Sequence, residues 1–225
     1  NLAGHFAFMP WILTHHKTGL TIPEFFAPVF LLMVGFGYRL SFLRRMNEKG
    51  LSEARWAAIH RYVLITLLGF LVYIDHLWDA LTHIGMAGLL ILPFINRSAR
   101  TRILAAVGYV AVFQAIYLYT EYSSWMLDRT NSLNGGPLAA MSWGFAVLFG
   151  TVAYDLWATR DRRWITTGML TMGAVLIAAG WLAHLPWPGV KEAWPFTRWG
   201  MALPYPVLTT GVAFLIYLFF YWFCD

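Results

Sequence analysis

Seven apolar stretches recur along the chain, at about Phe25 to Tyr38, Tyr62 to Ile74, Ile84 to Ile95, Ile103 to Tyr119, Leu138 to Leu156, Ile165 to Leu185 and Tyr205 to Phe223. Several are shorter than the roughly 20 residues that cross a bilayer, but each lengthens when the Arg, His or Trp residues at its ends join the same helix and snorkel toward water. A soluble domain of 225 residues has no use for so much apolar surface: 59% of the residues are hydrophobic and only 12% are charged. The expectation is an all-α integral membrane protein, a polytopic bundle of about seven transmembrane helices forming a single domain over residues 1–225.

The charge pattern tests that count independently, because Lys and Arg accumulate on cytoplasmic connections. Seven alternating spans sort the connections into two sets. One set holds Arg39, Arg44, Arg45, Lys49, Arg55, Arg61, Arg97, Arg100, Arg102, Arg160, Arg162 and Arg163; the other holds Lys17, Arg129, Lys191 and Arg198. A missed or invented helix would destroy this split, so the amino end reads as outside and the carboxyl end as inside. The pI of 9.5 is therefore topological. It does not indicate nucleic acid, since the positive charge is shared among three short connections and forms no single stripe.

Two longer outer connections are expected. Thr120 to Pro137 carries Ser, Asn and Gly turn chemistry, and Pro186 to Pro204 is rich in Trp and Pro, as befits a segment lying in the membrane interface. The inner connections read as short and basic, apart from Arg39 to Arg61. The single Cys224 cannot form an internal disulfide, and Asn96-Arg97-Ser98 matches a glycosylation acceptor but falls on the inner side. No cleavable signal peptide and no internal repeat is visible.

On this map His5, His15, His16, His76, His83 and His184 lie at the outer side, and His60 alone lies inside. Glu24, Asp75, Asp79 and Glu121 share the outer level. Imidazoles titrate near neutral pH, and neighbouring carboxylates orient their tautomers, so an outward-facing polar site is expected. His15 and His16 stand just before the helix opened by Thr21-Ile22-Pro23-Glu24, where they can act as nucleophile or base. Thr21-x-x-Glu24 equally matches a helix capping box with proline in the first turn. Asp75, His76 and Asp79 also suit the wet tip of a helix hairpin. His83, one turn inside the next span, is a polar group that needs a partner.

The segment Thr14-His15-His16-Lys17-Thr18-Gly19-Leu20-Thr21, followed by Glu24, Pro28, Phe30 and Gly35, resembles the heparan-α-glucosaminide N-acetyltransferase family and its bacterial membrane homologues. In that family a His precedes Trp-Asn/His-Gly-Leu-Thr, then come an acidic residue and a Pro-containing helix with a closing Gly. Leu81-Thr82-His83-Ile84-Gly85 looks like the family's Leu-Gln-Arg-Ile-Gly, and Gly135-Gly136-Pro137-Leu138 with Ser142, Trp143 and Gly150 looks like its later loop-to-helix segment. Aligned on Gly19-Leu20-Thr21, Thr14 takes the place of the family's His, with His15 and His16 one and two positions later, and Lys17 replaces its Trp. The resemblance also makes the chain look truncated at both ends, with Asn1 matching an Asn that follows the family's first membrane helix.

The resemblance implies transmembrane acyl transfer. Acetyl-CoA is bound as co-substrate from the cytoplasmic side, and the acetyl group passes to the amine or hydroxyl of a glycan on the outer face. His16 or His15 carries the acetyl group or deprotonates the acceptor, with Glu24 beside them, and Asn1, Asp75, Asp79 and His83 line the substrate cavity. No metal is implied. The partners are membrane lipid and the glycan acceptor, with a homo-oligomer or larger membrane complex as a further expectation, and the location is a bacterial cytoplasmic membrane. Two alternatives stay open: a catalytically degenerate relative serving as a structural subunit, which the shifted register suits, and a haem or metal protein using His76 or His83 with His184. A secondary transporter would require an inverted repeat, and none is visible.

Overall fold

The computed structural model describes residues 10–14, 19–74, 77–127, 134–186, 194, 196–197 and 199–224. Among them eight helices form: α1 (Ile22–Lys49), α2 (Leu51–Val72), α3 (Ala80–Ile91), α4 (Ala99–Tyr119), α5 (Tyr122–Leu127), α6 (Ala140–Ala158), α7 (Arg162–His184) and α8 (Pro204–Cys224). All except α3 and α5 are long and apolar enough to cross a membrane. The protein is an all-α polytopic membrane protein.

The seven apolar stretches of the sequence correspond to α1–α4 and α6–α8. Of these, α3 stands apart. Its 12 residues rise only about 18 Å, short of the about 30 Å of a hydrocarbon core. Pro93 is the cause, because proline lacks an amide and disfavours helix in the residue before it. Beyond Ile91 the chain continues in tight turns, with Phe94 N–H donating to the Ile91 carbonyl at 2.9 Å and Arg97 N–H to the Phe94 carbonyl at 2.8 Å. These turns carry the segment on toward Arg97.

The contacts at the helix ends show the alternation that the charge pattern requires. Arg39 of α1 donates its Nε–H to Asp155 Oδ1 of α6 at 3.1 Å, and another N–H to the carbonyl of Ile95, just past α3. Arg102, in the first turn of α4, donates to the other Asp155 oxygen, to Thr151 Oγ1 at 2.6 Å and to the Arg97 carbonyl at 3.1 Å. The trailing ends of α1, α3 and α6 and the leading end of α4 therefore meet at one level. The start of α7 meets the end of α8 through Trp222 Nε1, which donates to Thr166 Oγ1 at 3.2 Å. At the opposite level Tyr205 of α8 bonds the Glu24 carbonyl of α1, and Gln114 of α4 accepts from Leu203 N–H at 2.8 Å just before α8.

At the centre lies α6. It packs on α1, α3, α4, α7 and α8, and its side chains from Ala140 to Ala153 are almost all buried. Small residues make this possible. At the crossing with α1 a Cβ on Gly35 would run into the Val147 carbonyl, and one on Gly150 into the Leu32 carbonyl. Backbone-to-backbone approach of this kind replaces the hydrophobic drive that is missing between helices in lipid. Around this core α2 lies on α1 and α3, and α7 pairs chiefly with α8.

Two connections differ from the sequence expectation. Arg39 to Arg61 is no loop, because α1 and α2 run through it and only Gly50, at φ 89°, interrupts them. Arg44 and Glu48, one turn apart on α1 with Nε–Oε1 at 2.9 Å, support the extension past the membrane. At the opposite level the short helix α5 forms within Thr120 to Pro137.

Candidate functional site

The start of α1 is built as the capping-box pattern anticipates. Thr21 is extended at the N-cap, its N–H donates to Glu24 Oε2 at 3.3 Å, and its hydroxyl lies against the same carboxylate oxygen. Both side chains are buried. Burying a carboxylate is costly unless hydrogen-bond donors surround it, and Thr21 supplies its backbone N–H, its one hydroxyl proton being shared between this oxygen and the Thr14 carbonyl. The Thr21 hydroxyl also lies 2.8 Å from the Thr14 carbonyl. On the other flank Gly19 N–H donates to the Phe196 carbonyl at 2.9 Å.

Thr14 and Gly19 bracket the histidine pair. Their anchors tie both flanks of that segment to the head of α1 and to the stretch leading into α8. His15 and His16 themselves lie outside the described residues, as do His5, Asn1, Asp75 and His76.

A second polar cluster surrounds the start of α3. Asp79 is the N-cap, with Oδ1 accepting from Ala80 N–H at 2.7 Å and from Asn134 Nδ2 at 2.9 Å. His83 is fully buried and stacked on Trp143, with ring centroids 5.1 Å apart. Its Nδ1 lies 3.0 Å from the Asp79 carbonyl and its Nε2 lies 2.9 Å from the Gly136 carbonyl. A neutral imidazole has one N–H, so it donates to one carbonyl and turns a lone pair toward the other; an imidazolium donates to both.

The turn that receives His83 is possible because Gly135 and Gly136 take φ of 85° and 66°, a region that side chains disfavour. Tyr122 of α5 locks it, its hydroxyl donating to the Gly135 carbonyl at 2.6 Å and accepting from Leu138 N–H at 3.1 Å. Burial pushes the Tyr122 hydroxyl up to about 12. Among the buried polar groups with no partner among the described residues are Trp143 Nε1, on the ring stacked with His83, and Gln114 Nε2. Buried N–H groups in this state are suited to an arriving oxygen acceptor.

His184 closes the far side of the cap. Its Nδ1 lies 2.6 Å from the Trp194 carbonyl, so that nitrogen carries the proton, and its ring packs on Phe196 at 4.1 Å. A paired axial-ligand role for His83 and His184 does not suit these contacts, since a metal at His83 would displace one of its carbonyl partners. Among the described residues no three His, Cys, Asp or Glu side chains gather as a metal-binding group.

Sequence reasoning overlooked Asp155, which takes both Arg39 and Arg102. The available signal was a lone carboxylate within an otherwise apolar run on α6. It also overlooked Tyr205, whose phenol donates to the Glu24 carbonyl at 2.8 Å. No protein-family model and no curated protein matches this chain.

Proposed function

We propose that the chain is a transmembrane acyltransferase of a bacterial cytoplasmic membrane, passing an acetyl group from cytoplasmic acetyl-CoA to the amine or hydroxyl of a glycan at the outer face. One observation carries this reading: the described flanks of the His15-His16 segment are both anchored, at Thr14 on the Thr21–Glu24 cap and at Gly19 on Phe196. Nucleophilic and general-base catalysis require a side chain held in place, because small displacements are costly. In this reading His16 or His15 carries the acetyl group or takes the acceptor proton. Glu24 is a positioning residue that acts through Thr21, and the unpartnered donors near His83 meet acceptor oxygens. The basic inner connections favour a phosphate-bearing donor.

A second reading, a degenerate relative acting as a structural subunit, is favoured by the capping role of Glu24, which needs no chemistry to account for it. One experiment separates the two. The purified protein is incubated with acetyl-labelled CoA, and label on the protein is compared among wild type, His15→Ala, His16→Ala and Glu24→Gln. Acyl transfer predicts acetyl label on the protein, or on an added glycan acceptor where the histidine serves as base, that is lost with one histidine and reduced with Glu24→Gln. Equal label in all four, or no CoA binding, rejects it.

A further inference from the structure

The inner half of the α1–α2 pair holds a groove of about 570 Å³, lined by Tyr38, Ser41, Phe42, Arg44, Arg45, Glu48, His60, Arg61 and Tyr62 together with small alanines of α2. Three arginines face one glutamate here, and the glutamate is already engaged by Arg44. Arg61 reaches across from α2 to Ser41 Oγ on α1 at 3.3 Å. Trp56, more than half exposed and stacked on His60 at 5.1 Å, marks this level as membrane interface.

A second groove of about 330 Å³ adjoins it and shares Tyr38, Arg61 and Tyr62. Its remaining lining is apolar: Phe30, Met33, Val34, Gly37, Ile65, Leu81 and Ile84. It faces outward from the bundle, with Phe30 57% and Met33 44% exposed. The two grooves thus lie end to end along one face of α1 and α2, cationic at the cytoplasmic edge and hydrocarbon-like above, and are taken together as one channel. Buried Tyr38 and Tyr62, ring centroids 4.5 Å apart, stand at the junction. The apolar part follows α1 from Tyr38 back to Phe30, about 12 Å of helix.

We propose that this channel is a binding site for an anionic phospholipid of the inner leaflet. The phosphate sits among Arg45, Arg61 and Arg44, and one acyl chain runs up the face of Val34 and Ile65. The order of chemistry along the channel matches a phospholipid, since phosphate and hydrocarbon follow each other in the same sense as in the leaflet. Basic pockets between helices on the cytoplasmic side are suited to such headgroups. A CoA molecule fits less well, because its amides would lie in the apolar half with lipid chains as neighbours and few hydrogen-bond partners. The site operates independently of any acyl transfer.

The test is native mass spectrometry of the full chain released from membranes of mixed phosphatidylglycerol and phosphatidylcholine. Wild type should retain phosphatidylglycerol selectively. Arg45→Gln combined with Arg61→Gln should lower that retention about thirtyfold, each arginine near the surface contributing about fivefold. Val34→Trp, which fills the apolar half, should lower it too, whereas Arg163→Gln, a basic inner residue outside the channel, should not. Unchanged melting in pure phosphatidylcholine nanodiscs confirms that the variants are folded. Equal retention of both lipids, or retention insensitive to the arginine pair, overturns the proposal. Displacement of lipid by glycerol phosphate or by CoA, with equal affinity in Val34→Trp, also overturns it and marks a site for soluble phosphates.

Discussion

The hydroxyl of Tyr205 donates to the backbone carbonyl of Glu24 at 2.8 Å, across 181 residues of sequence. Pro28 explains why that carbonyl is available. A regular helix would bond it to the amide four residues on, and Pro28 has no amide. Proline inside α1 thus provides the acceptor by which α8 docks onto α1.

Tyr205→Phe should therefore lower stability by about 1–3 kcal/mol, the range for leaving a buried carbonyl unsatisfied. In a Pro28→Ala background the helix supplies its own donor, so the same substitution should cost much less. A double-mutant cycle from denaturant unfolding in detergent reads the difference. Equal costs in both backgrounds would disprove the coupling.

Asp155 balances two guanidiniums, and the charges make the outcome of mutation asymmetric. Arg102 is 0% exposed and the Asp155 side chain 31% exposed. Asp155→Asn leaves two cations facing each other and should cost about 3 kcal/mol, the low end for breaking a buried pair because of that partial exposure. Arg39→Met leaves one cation against one anion and should cost clearly less. Comparing the unfolding midpoints of the two variants decides it.

Gly35 and Gly37 lie two residues apart on α1 and should respond in opposite directions. A methyl at Gly35 meets the backbone of α6, whereas at Gly37 nothing lies within 4 Å. Gly35→Ala should disrupt the α1–α6 crossing and lower the melting temperature strongly. Gly37→Ala should raise stability by about 0.5–1 kcal/mol through helix propensity.

Tyr122 should impart a dependence on alkaline pH. Its hydroxyl is pushed from 10.0 up to about 12 in the folded protein. The unfolded chain therefore releases this proton first as pH rises. The contribution is complete below pH 10 and is lost between about 10 and 12. The difference in stability between wild type and Tyr122→Phe should shrink across that window. A constant difference would mean that the clamp on Gly135 and Leu138 tolerates the phenolate.

Apolar runs made all seven hydrophobic stretches legible as helices, although six rather than seven are long enough to cross a membrane, because bilayer thickness acts on sequence directly. Local patterns also served well at Thr21 and Glu24, where the cap is a four-residue signal. Arg39 to Arg61 was harder, since charged residues that leave the membrane resemble a loop until one notices that they are good helix formers broken only by Gly50. The partners of Asp155, the Glu24 carbonyl and His83 lie between 53 and 181 residues away for the bonds that define them. Only tertiary packing brings those groups together, and one sequence contains no periodicity that announces it. The segment with His15 and His16 was legible as a motif, and its described flanks are anchored.

The enclosure of α6 bears on how the protein is assembled. A helix that offers lipid almost no face has no resting position of its own in the bilayer. The helices α1 to α4 that precede it in the chain leave a recess, and Ser142, Thr151 and Asp155 are sheltered only once the helix is seated there. The α7–α8 pair, emerging after it and matched mainly to itself, then covers its remaining side. A chain ending at Ala158 would retain the central helix with one side unshielded, and cellular quality control should degrade it faster than a chain that includes α7 and α8.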